Sequence, residues 1–246
     1  MDGTVLGLFL FGTFVGGVVA GLAGFAMSLV VSGIWLHILT PIQTVTLIVA
    51  YGLLVQGYVI WNLRHALSWH KVMPFIIGGA MGVPIGAVLL AYINPSHMRT
   101  VVGLLLLLYS TYCLARPTIK PVQAALPANI GIGILNGLLG GLTGLAGIVV
   151  VVWCQLRGLP KDNQRTISQP VSFAVFVMSA ISLSIAGDVT AETVKLYLFG
   201  LPLVLAGTWT GLKLYGRFDD AGFRQIVLLL LLASGISLIV PATIFR

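Results

Sequence analysis

Three long runs of this sequence contain no charged residue. They extend over residues 3–63, 121–156 and 225–245. Each run exceeds the roughly 20 apolar residues that a helix needs to cross the hydrocarbon core of a bilayer. Charged residues make up 8% of the chain, whereas soluble proteins carry about 25%. The sequence therefore predicts a polytopic membrane protein and excludes soluble enzymes, nucleic-acid binders and secreted disulfide-rich proteins.

Polar breaks divide the chain into eight apolar stretches. None of them alternates between apolar and polar residues as the strands of a membrane barrel do, so we expect an all-α fold of membrane helices. The first and fifth stretches are unusually long and rich in glycine. The stretches cover residues 5–36, 42–63, 72–93, 98–115, 128–156, 166–186, 195–215 and 224–244.

The second half of the chain repeats the first. Residues 16–26 read GGVVAGLAGFA and residues 136–146 read NGLLGGLTGLA, with five identities in eleven positions. Later in each half a GxxxG pair and an arginine recur in the same order. These later features are Gly82/Gly86 with Gly207/Gly211 and Arg99 with Arg224.

This repetition predicts two homologous modules within one transmembrane bundle. Module 1 covers residues 1–118, module 2 covers residues 128–246, and residues 119–127 form the linker. Each module contains a glycine-broken stretch followed by three transmembrane helices. Duplicated modules are the usual architecture of secondary transporters.

The distribution of Lys and Arg favours inverted modules. If all eight stretches span once, starting inside, six of the 13 basic residues are cytoplasmic and seven are external. If the first and fifth stretches enter and leave on the same side, ten are cytoplasmic and three are external. Only the second division follows the positive-inside rule. We therefore expect re-entrant first stretches, three spanning helices in each module, and both termini in the periplasm.

The glycines of the two long stretches are the first candidates for a binding site. Glycine destabilises a helix interior by up to about 1 kcal/mol relative to alanine, but it permits positive φ and close backbone approach. Two helix breaks near the midplane would direct backbone N–H groups at one point, an arrangement that suits an anion. The alternative is tight helix packing, which we expect for the two later GxxxG pairs. The glycines predicted to bind substrate are Gly21, Gly24, Gly140, Gly141 and Gly144.

Polar side chains inside the apolar stretches are the second group of candidates. Arg165 and Gln169 are four residues apart and share a helix face, where a guanidinium beside an amide suits an oxyanion. Arg165 could instead extend to the cytoplasmic surface. Asn136 and Thr143 could donate to the ligand or bond a neighbouring helix. The predicted substrate-binding side chains are Thr44, Gln56, Asn136, Thr143, Arg165, Gln169 and Ser172.

The remaining sequence features predict no enzyme, metal site or cofactor. Cys113 and Cys154 lie in apolar runs without a ligand-spaced partner and are interpreted as packing residues. The sequence contains no HExxH motif and no P-loop. It therefore lacks the zinc-binding motif of a metalloprotease and the nucleotide-binding motif of an ATP-driven pump. The net charge of +7 is typical of basic cytoplasmic loops facing the lipid bilayer and does not indicate a nucleic-acid partner.

The duplicated glycine segments, the GxxxG pairs and the arginine before each closing Leu-rich helix resemble the sulfite exporter TauE/SafE family over nearly the whole chain. The segments are Gly21-Leu22-Ala23-Gly24 and Gly140-Gly141-Leu142-Thr143-Gly144. The resemblance implies a multi-pass carrier of the bacterial inner membrane for sulfite, organosulfonates or similar anions. The chain departs from the family pattern where a triple glycine is usual. Those positions read Phe25-Ala26-Met27 and Leu145-Ala146-Gly147.

We therefore expect a secondary transporter that moves a small anion by alternating access between the two modules. The alternative is a passive anion channel, in which the same glycine breaks form a fixed constriction. A membrane scaffold without transport is a third possibility. The glycine-lined faces could pack within one subunit or between two, so a homodimer is left open.

Overall fold

A computed structural model describes residues 3–23, 27–63, 68–115, 126–214 and 220–239 of the chain. Within these residues the chain forms helices and turns and no strand. The helices are α1 (Gly3–Ala23), α2 (Met27–Ile38), α3 (Pro41–Leu63), α4 (Trp69–Tyr92), α5 (Pro95–Ala115), α6 (Leu126–Thr143), α7 (Ile148–Leu156), α8 (Lys161–Ala186), α9 (Ala191–Leu214) and α10 (Asp220–Ile239).

Seven helices of the described chain are long and apolar enough to cross a membrane. They are α1, α3, α4, α5, α6, α8 and α9. The expectation of an all-α, multi-pass membrane protein is thus confirmed. The first and fifth stretches each contain two helices, α1 with α2 and α6 with α7.

The start of α3 shows how local sequence sets a helix boundary. Thr40 and Gln43 form a reciprocal capping box before the apolar run. The Thr40 hydroxyl accepts a hydrogen bond from the Gln43 backbone N–H at 3.3 Å, and the Gln43 side-chain oxygen accepts one from the Thr40 backbone N–H at 3.2 Å. Pro41 occupies the first helical position, where its missing N–H removes no hydrogen bond.

The chain divides into two compact units, and each takes helices from both halves of the sequence. Unit 1 comprises Met1–Thr44, Ile93–Pro117 and Val194–Arg246, and therefore contains α1, α2, α5, α9 and α10. Unit 2 comprises Val45–Tyr92 and Thr118–Thr193, and therefore contains most of α3 together with α4, α6, α7 and α8.

In unit 1, α1 and α2 form an antiparallel helical hairpin. Near the break, Gly16 lies against Met27 of α2. Further from it, Gly12 lies against Trp35, and the ring of Phe9 stacks on Trp35 with centroids 5.2 Å apart. Residues nearer the start of α1 thus contact residues nearer the end of α2, which is the pattern of an antiparallel hairpin.

In unit 2, α6 and α7 form a second antiparallel hairpin. The Trp153 indole N–H donates to the Asn129 side-chain oxygen at 3.0 Å, far from the break. The Gly147 backbone N–H donates to the Asn136 side-chain oxygen at 2.8 Å, close to it. Both glycine-rich stretches therefore turn back on themselves, as re-entrant segments must.

Glycine contacts join the first arm of each hairpin to a helix from the other half of the sequence. In unit 1, a Cβ at Gly17 would lie 2.7 Å from the Val204 carbonyl oxygen of α9. In unit 2, a Cβ at Gly137 would lie 2.6 Å from the Gly79 carbonyl oxygen of α4. The packing role expected for the GxxxG pairs is confirmed, because those glycines face backbone atoms of α6 and α1. The four glycines are Gly82 and Gly86 on α4, and Gly207 and Gly211 on α9.

Within each unit, two helices that occupy the same place in the sequence repeat run antiparallel. In unit 1, a Cβ at Gly103 of α5 would lie 2.7 Å from Ile239 of α10, whereas a Cβ at Gly235 would lie 3.2 Å from Leu106. In unit 2, Gly52 of α3 lies against Phe176 of α8. Gly57, further along α3, lies against Phe173, which comes earlier in α8.

Candidate functional site

The break between α6 and α7 is the candidate site. Helix α6 ends at Thr143 and α7 begins at Ile148. Gly144 has φ of +72° and Gly147 has φ of +97°. Other L residues adopt this left-handed region at a cost of roughly 1–2 kcal/mol. Glycine at these two positions therefore lets the chain leave α6 and enter α7 in the opposite direction.

The amide of Asn136 lies at the start of α7. Its side-chain oxygen accepts the 2.8 Å hydrogen bond from Gly147, the residue that precedes the helix. Asn136 is fully buried, and its Nδ2 finds no hydrogen-bond partner among the described residues. A buried polar group without a partner costs about 1–3 kcal/mol. The two N–H groups of Asn136 Nδ2 are therefore available as donors beside the N-terminus of α7.

The N-terminus of α7 adds backbone donors to this amide. The hydrogen bond that opens the helix runs from Val151 N to Gly147 O, at 2.9 Å. The N–H groups of Ile148, Val149 and Val150 precede this bond and therefore lie outside the intrahelical ladder. Such a helix end carries about half a positive charge and attracts anions.

Helix α8 forms one wall of the site. Ser172 lies directly against Gly147, so closely that a Cβ on the glycine would overlap the serine oxygen. The Ser172 hydroxyl donates to the Ser168 carbonyl at 2.8 Å, and its oxygen remains an acceptor. Further along the same face, Ser179 is fully buried, and its hydroxyl has no partner in the part of the chain that the structure describes.

Sequence reasoning missed Ser179. Its signal was available, because Ser168, Ser172 and Ser179 follow the spacing of one face of a helix. Their common burial makes this face a polar stripe inside an apolar helix. Polar side chains in such positions usually mark substrate pathways in membrane proteins.

Three residues that were predicted to bind substrate lie at the break. Their contacts are with other residues of the hairpin and with the neighbouring helices α4 and α8. The Thr143 hydroxyl donates to Leu139 O at 2.7 Å and accepts from Leu145 N at 3.2 Å. A Cβ on Gly141 would lie 2.5 Å from the Val83 carbonyl of α4, and Gly140 lies against Val175 of α8. The structure therefore gives each of these residues a role in shaping the break.

Gln56 and Gln169 lie on the faces where α3 and α8 contact each other. Gln56 is one turn beyond Gly52, which packs against Phe176, and Gln169 is one turn before Phe173. Both glutamines are almost completely buried, and the side-chain oxygen of each lacks a partner within the described ranges. Each glutamine thus presents an unpartnered acceptor at the contact between α3 and α8.

Arg165 lies near the start of α8, two turns before Ser172, and is half-buried. Because Cα–Cβ bonds tilt toward the N-terminus of a helix, its side chain begins by pointing away from the break. The structure thus places Arg165 on the helix of Ser172 and Gln169, with its Cα two turns before that of Ser172.

The remaining predicted residues do not belong to unit 2. Gly21 lies in unit 1, where a Cβ would be 2.9 Å from Gly211 Cα of α9. Thr44, also in unit 1, is buried near the start of α3, and its hydroxyl has no partner among the residues described. Gly24 lies outside the described residues.

The described residues contain no group of three His, Cys, Asp or Glu side chains that could hold a metal ion. The break itself presents the Asn136 amide and the N-terminus of α7, which are neutral hydrogen-bond donors and the positive end of a helix dipole.

Known proteins resemble this chain over most of its length. A family model described as "Sulfite exporter TauE/SafE" matches residues 8–238. A curated relative from Cupriavidus necator, described as "Probable sulfite/organosulfonate exporter TauE", is 24% identical over 226 residues. The alignment covers 89% of this chain and 88% of the relative. No solved structure matches the chain.

Proposed function

We propose that this chain, which belongs to the sulfite exporter TauE/SafE family, is a secondary transporter of small sulfur-containing oxyanions in a bacterial inner membrane. The family and the helices make the chain a multi-pass membrane protein. The printed description of the relative concerns sulfite and organosulfonates. In both substrate types an SO3 group is the part that a protein can recognise.

The observation that carries this proposal is the break of the second hairpin. The N-terminus of α7, the Asn136 amide and Ser172 of α8 lie together in unit 2. Backbone and amide donors suit the oxygens of an SO3 group, because each oxygen accepts hydrogen bonds and shares the negative charge. We propose that Asn136, Ser172 and Gln169 bind the substrate with the backbone of α7, and that Gly144 shapes the site.

Alternating access is the mechanism that we propose for transport. In inverted repeats, equivalent helices of the two modules run in opposite directions. The antiparallel pairs α5/α10 and α3/α8, each seen within one unit, support such an arrangement. We propose that each hairpin re-enters on the side from which it starts, although α1 and α6 are themselves of membrane-crossing length.

Transport by purified protein in proteoliposomes tests the proposal. Protein-dependent uptake of sulfite and methanesulfonate is expected to saturate and to show counterflow when the vesicles are preloaded with substrate. A channel would give conductance without counterflow. No protein-dependent flux of either anion would contradict the proposed function.

Two substitutions test the side chains of α8. Gln169→Ala is expected to reduce uptake, and Arg165→Ala, whose Cα lies about 10 Å from that of Ser172 along the helix axis, is expected to reduce it less. Lys195→Ala is a matched control, because Lys195 is an exposed cation at the start of α9. Undiminished uptake by both α8 variants would remove Gln169 and Arg165 from the mechanism.

A further inference from the structure

We infer that the break of the second hairpin takes its substrate as a monoanion, so that sulfite is carried as hydrogensulfite and dianions are rejected. This inference rests on the proposed function and specifies the charge and protonation state of its substrate. It follows from the charges and from the hydrogen-bonding groups that surround the break.

The groups of unit 2 that the structure shows in contact with the break, within the described residues, are uncharged. Helix α6 contributes Asn136, α8 contributes Ser172 and Val175, and α3 contributes Ile48, which lies against Gly144. The positive end of α7 is equivalent to about half an elementary charge. This dipole can offset part of the cost of burying one negative charge.

The described cations of unit 2 nearest in sequence have their backbone positions away from the break. Arg165 is two turns before Ser172 on α8, which corresponds to about 10 Å along the helix axis. Arg157 follows the C-terminal end of α7, which is the opposite end of that helix from the break. A second negative charge on the substrate would therefore be buried without a full opposite charge, which is strongly unfavourable.

The hydrogen-bonding groups at the break include both donors and an acceptor. Asn136 Nδ2 has no partner among the described residues and can only donate, whereas the Ser172 oxygen, which lies against Gly147 and gives its proton to Ser168 O, can still accept. Hydrogensulfite offers oxygens that accept hydrogen bonds and one O–H that donates. The sulfite dianion offers acceptors alone and would leave the Ser172 oxygen unused.

The direction of the pH change inside a vesicle distinguishes the two forms of sulfite. Hydrogensulfite that enters a neutral lumen dissociates in part to sulfite dianion and a proton, so the lumen becomes more acidic. Sulfite dianion that enters takes up a proton in part to form hydrogensulfite, so the lumen becomes more alkaline. The sign of the pH change in the lumen therefore reports which form of sulfite is transported.

The experiment uses the full chain in proteoliposomes that contain a pH-sensitive dye and have equal pH inside and outside. Potassium with valinomycin on both sides holds the membrane potential near zero. Protein-free vesicles measure the acidification caused by dissolved sulfur dioxide, and this background is subtracted. Sulfite is expected to acidify the lumen in a protein-dependent way, and methanesulfonate, a permanent monoanion, to enter without a pH change.

Competition provides a second readout. Methanesulfonate is expected to inhibit sulfite uptake, whereas a tenfold excess of sulfate, a dianion at neutral pH, is expected to leave it within twofold of the uninhibited rate. Protein-dependent alkalinisation during sulfite uptake, or inhibition by sulfate as strong as that by methanesulfonate, would overturn the monoanion inference and leave the proposed function standing. Absence of flux for both sulfite and methanesulfonate would overturn both.

Discussion

The side-chain oxygen of Asn136 lies 2.8 Å from the backbone nitrogen of Gly147 and accepts its hydrogen bond across the break of the second hairpin. One oxygen thereby fixes the point where α7 begins, and the nitrogen of the same amide is left without a partner among the described residues. The residue has two separable roles, since the oxygen braces the hairpin and the nitrogen is available to an anion.

Asn136→Asp separates these two roles. The aspartate keeps an oxygen for the Gly147 N–H but replaces the donating nitrogen with a second oxygen. A hydrogen bond to a charged group contributes about 1.5–3 kcal/mol, so we expect sulfite and methanesulfonate uptake to fall by roughly 10- to 150-fold. Uptake is measured in proteoliposomes, and the melting temperature of the purified variant shows whether it is folded.

Asn129→Asp is the matched control for this substitution. Asn129 lies on the same helix, and its side-chain oxygen accepts a comparable hydrogen bond from the Trp153 indole at 3.0 Å. We expect this variant to retain most of the wild-type uptake. Equal losses in the two variants, or full uptake by a folded Asn136→Asp protein, would contradict the assignment of Asn136 to the anion.

Close packing between α4 and α6 gives the second prediction. A Cβ on Gly137 would lie 2.6 Å from Gly79 O and 2.8 Å from Gly79 Cα, and a backbone cannot move aside as a side chain can. Gly137→Ala is expected to destabilise the protein by about 1–3 kcal/mol and to lower its melting temperature in detergent. Gly131→Ala on the same helix meets nothing within 4 Å and is expected to leave the melting temperature unchanged or raise it. The opposite order would show that α4 and α6 are not closely packed.

The hairpins were predictable because their signal is local. The density of glycine in the first and fifth stretches, together with the length of each, indicated a break inside a membrane-length apolar run. The second break lies where the repeat placed it, between Thr143 and Ile148. Charge counting added the re-entrant interpretation, which stays a prediction, since α1 and α6 are themselves long enough to cross a membrane.

The role of each glycine within these stretches was not predictable. Gly141 packs against a neighbouring backbone, whereas Gly144 has φ of +72° and shapes the break, yet both belong to one short glycine-rich segment. A side chain of a single hydrogen suits close packing and positive φ equally well, so composition does not distinguish the two roles. Only the register of α6 against α4 decides between them.

The use of Asn136 as a brace was likewise hidden in the sequence. Its partner is a backbone N–H eleven positions away, and that contact exists only because α7 turns back along α6. Ser179 was missed for a simpler reason. Its signal lies only in its helical spacing from Ser168 and Ser172, with no motif or charge beside it.

The inverted arrangement gives the third prediction. With a re-entrant hairpin and three spanning helices in each module, Asp2 and Lys120 are expected on opposite sides of the membrane. Single cysteines at these positions, in a chain whose buried Cys113 and Cys154 are replaced by alanine, are labelled with a membrane-impermeant maleimide in right-side-out and inverted vesicles. A cysteine at Ser96 is the control and is expected on the side of Asp2. Labelling of positions 2 and 120 from one side would refute inverted modules.

Steric coupling between Gly147 and Ser172 gives the fourth prediction. Gly147→Ala introduces two penalties, a left-handed φ of +97° and an overlap with the Ser172 hydroxyl oxygen. The new methyl group would lie 3.4 Å from Ser172 Cβ, which is ordinary contact. Ser172→Ala should therefore remove the overlap and leave only the backbone penalty of roughly 1–2 kcal/mol. Melting temperatures of the wild type, the two single variants and the double variant form a double-mutant cycle. Gly147→Ala is expected to be less destabilising in the Ser172→Ala background, with a coupling free energy of about 0.5–3 kcal/mol. Additive effects would mean that α7 does not begin against α8, and the wall of the proposed site would then have to be formed by another helix.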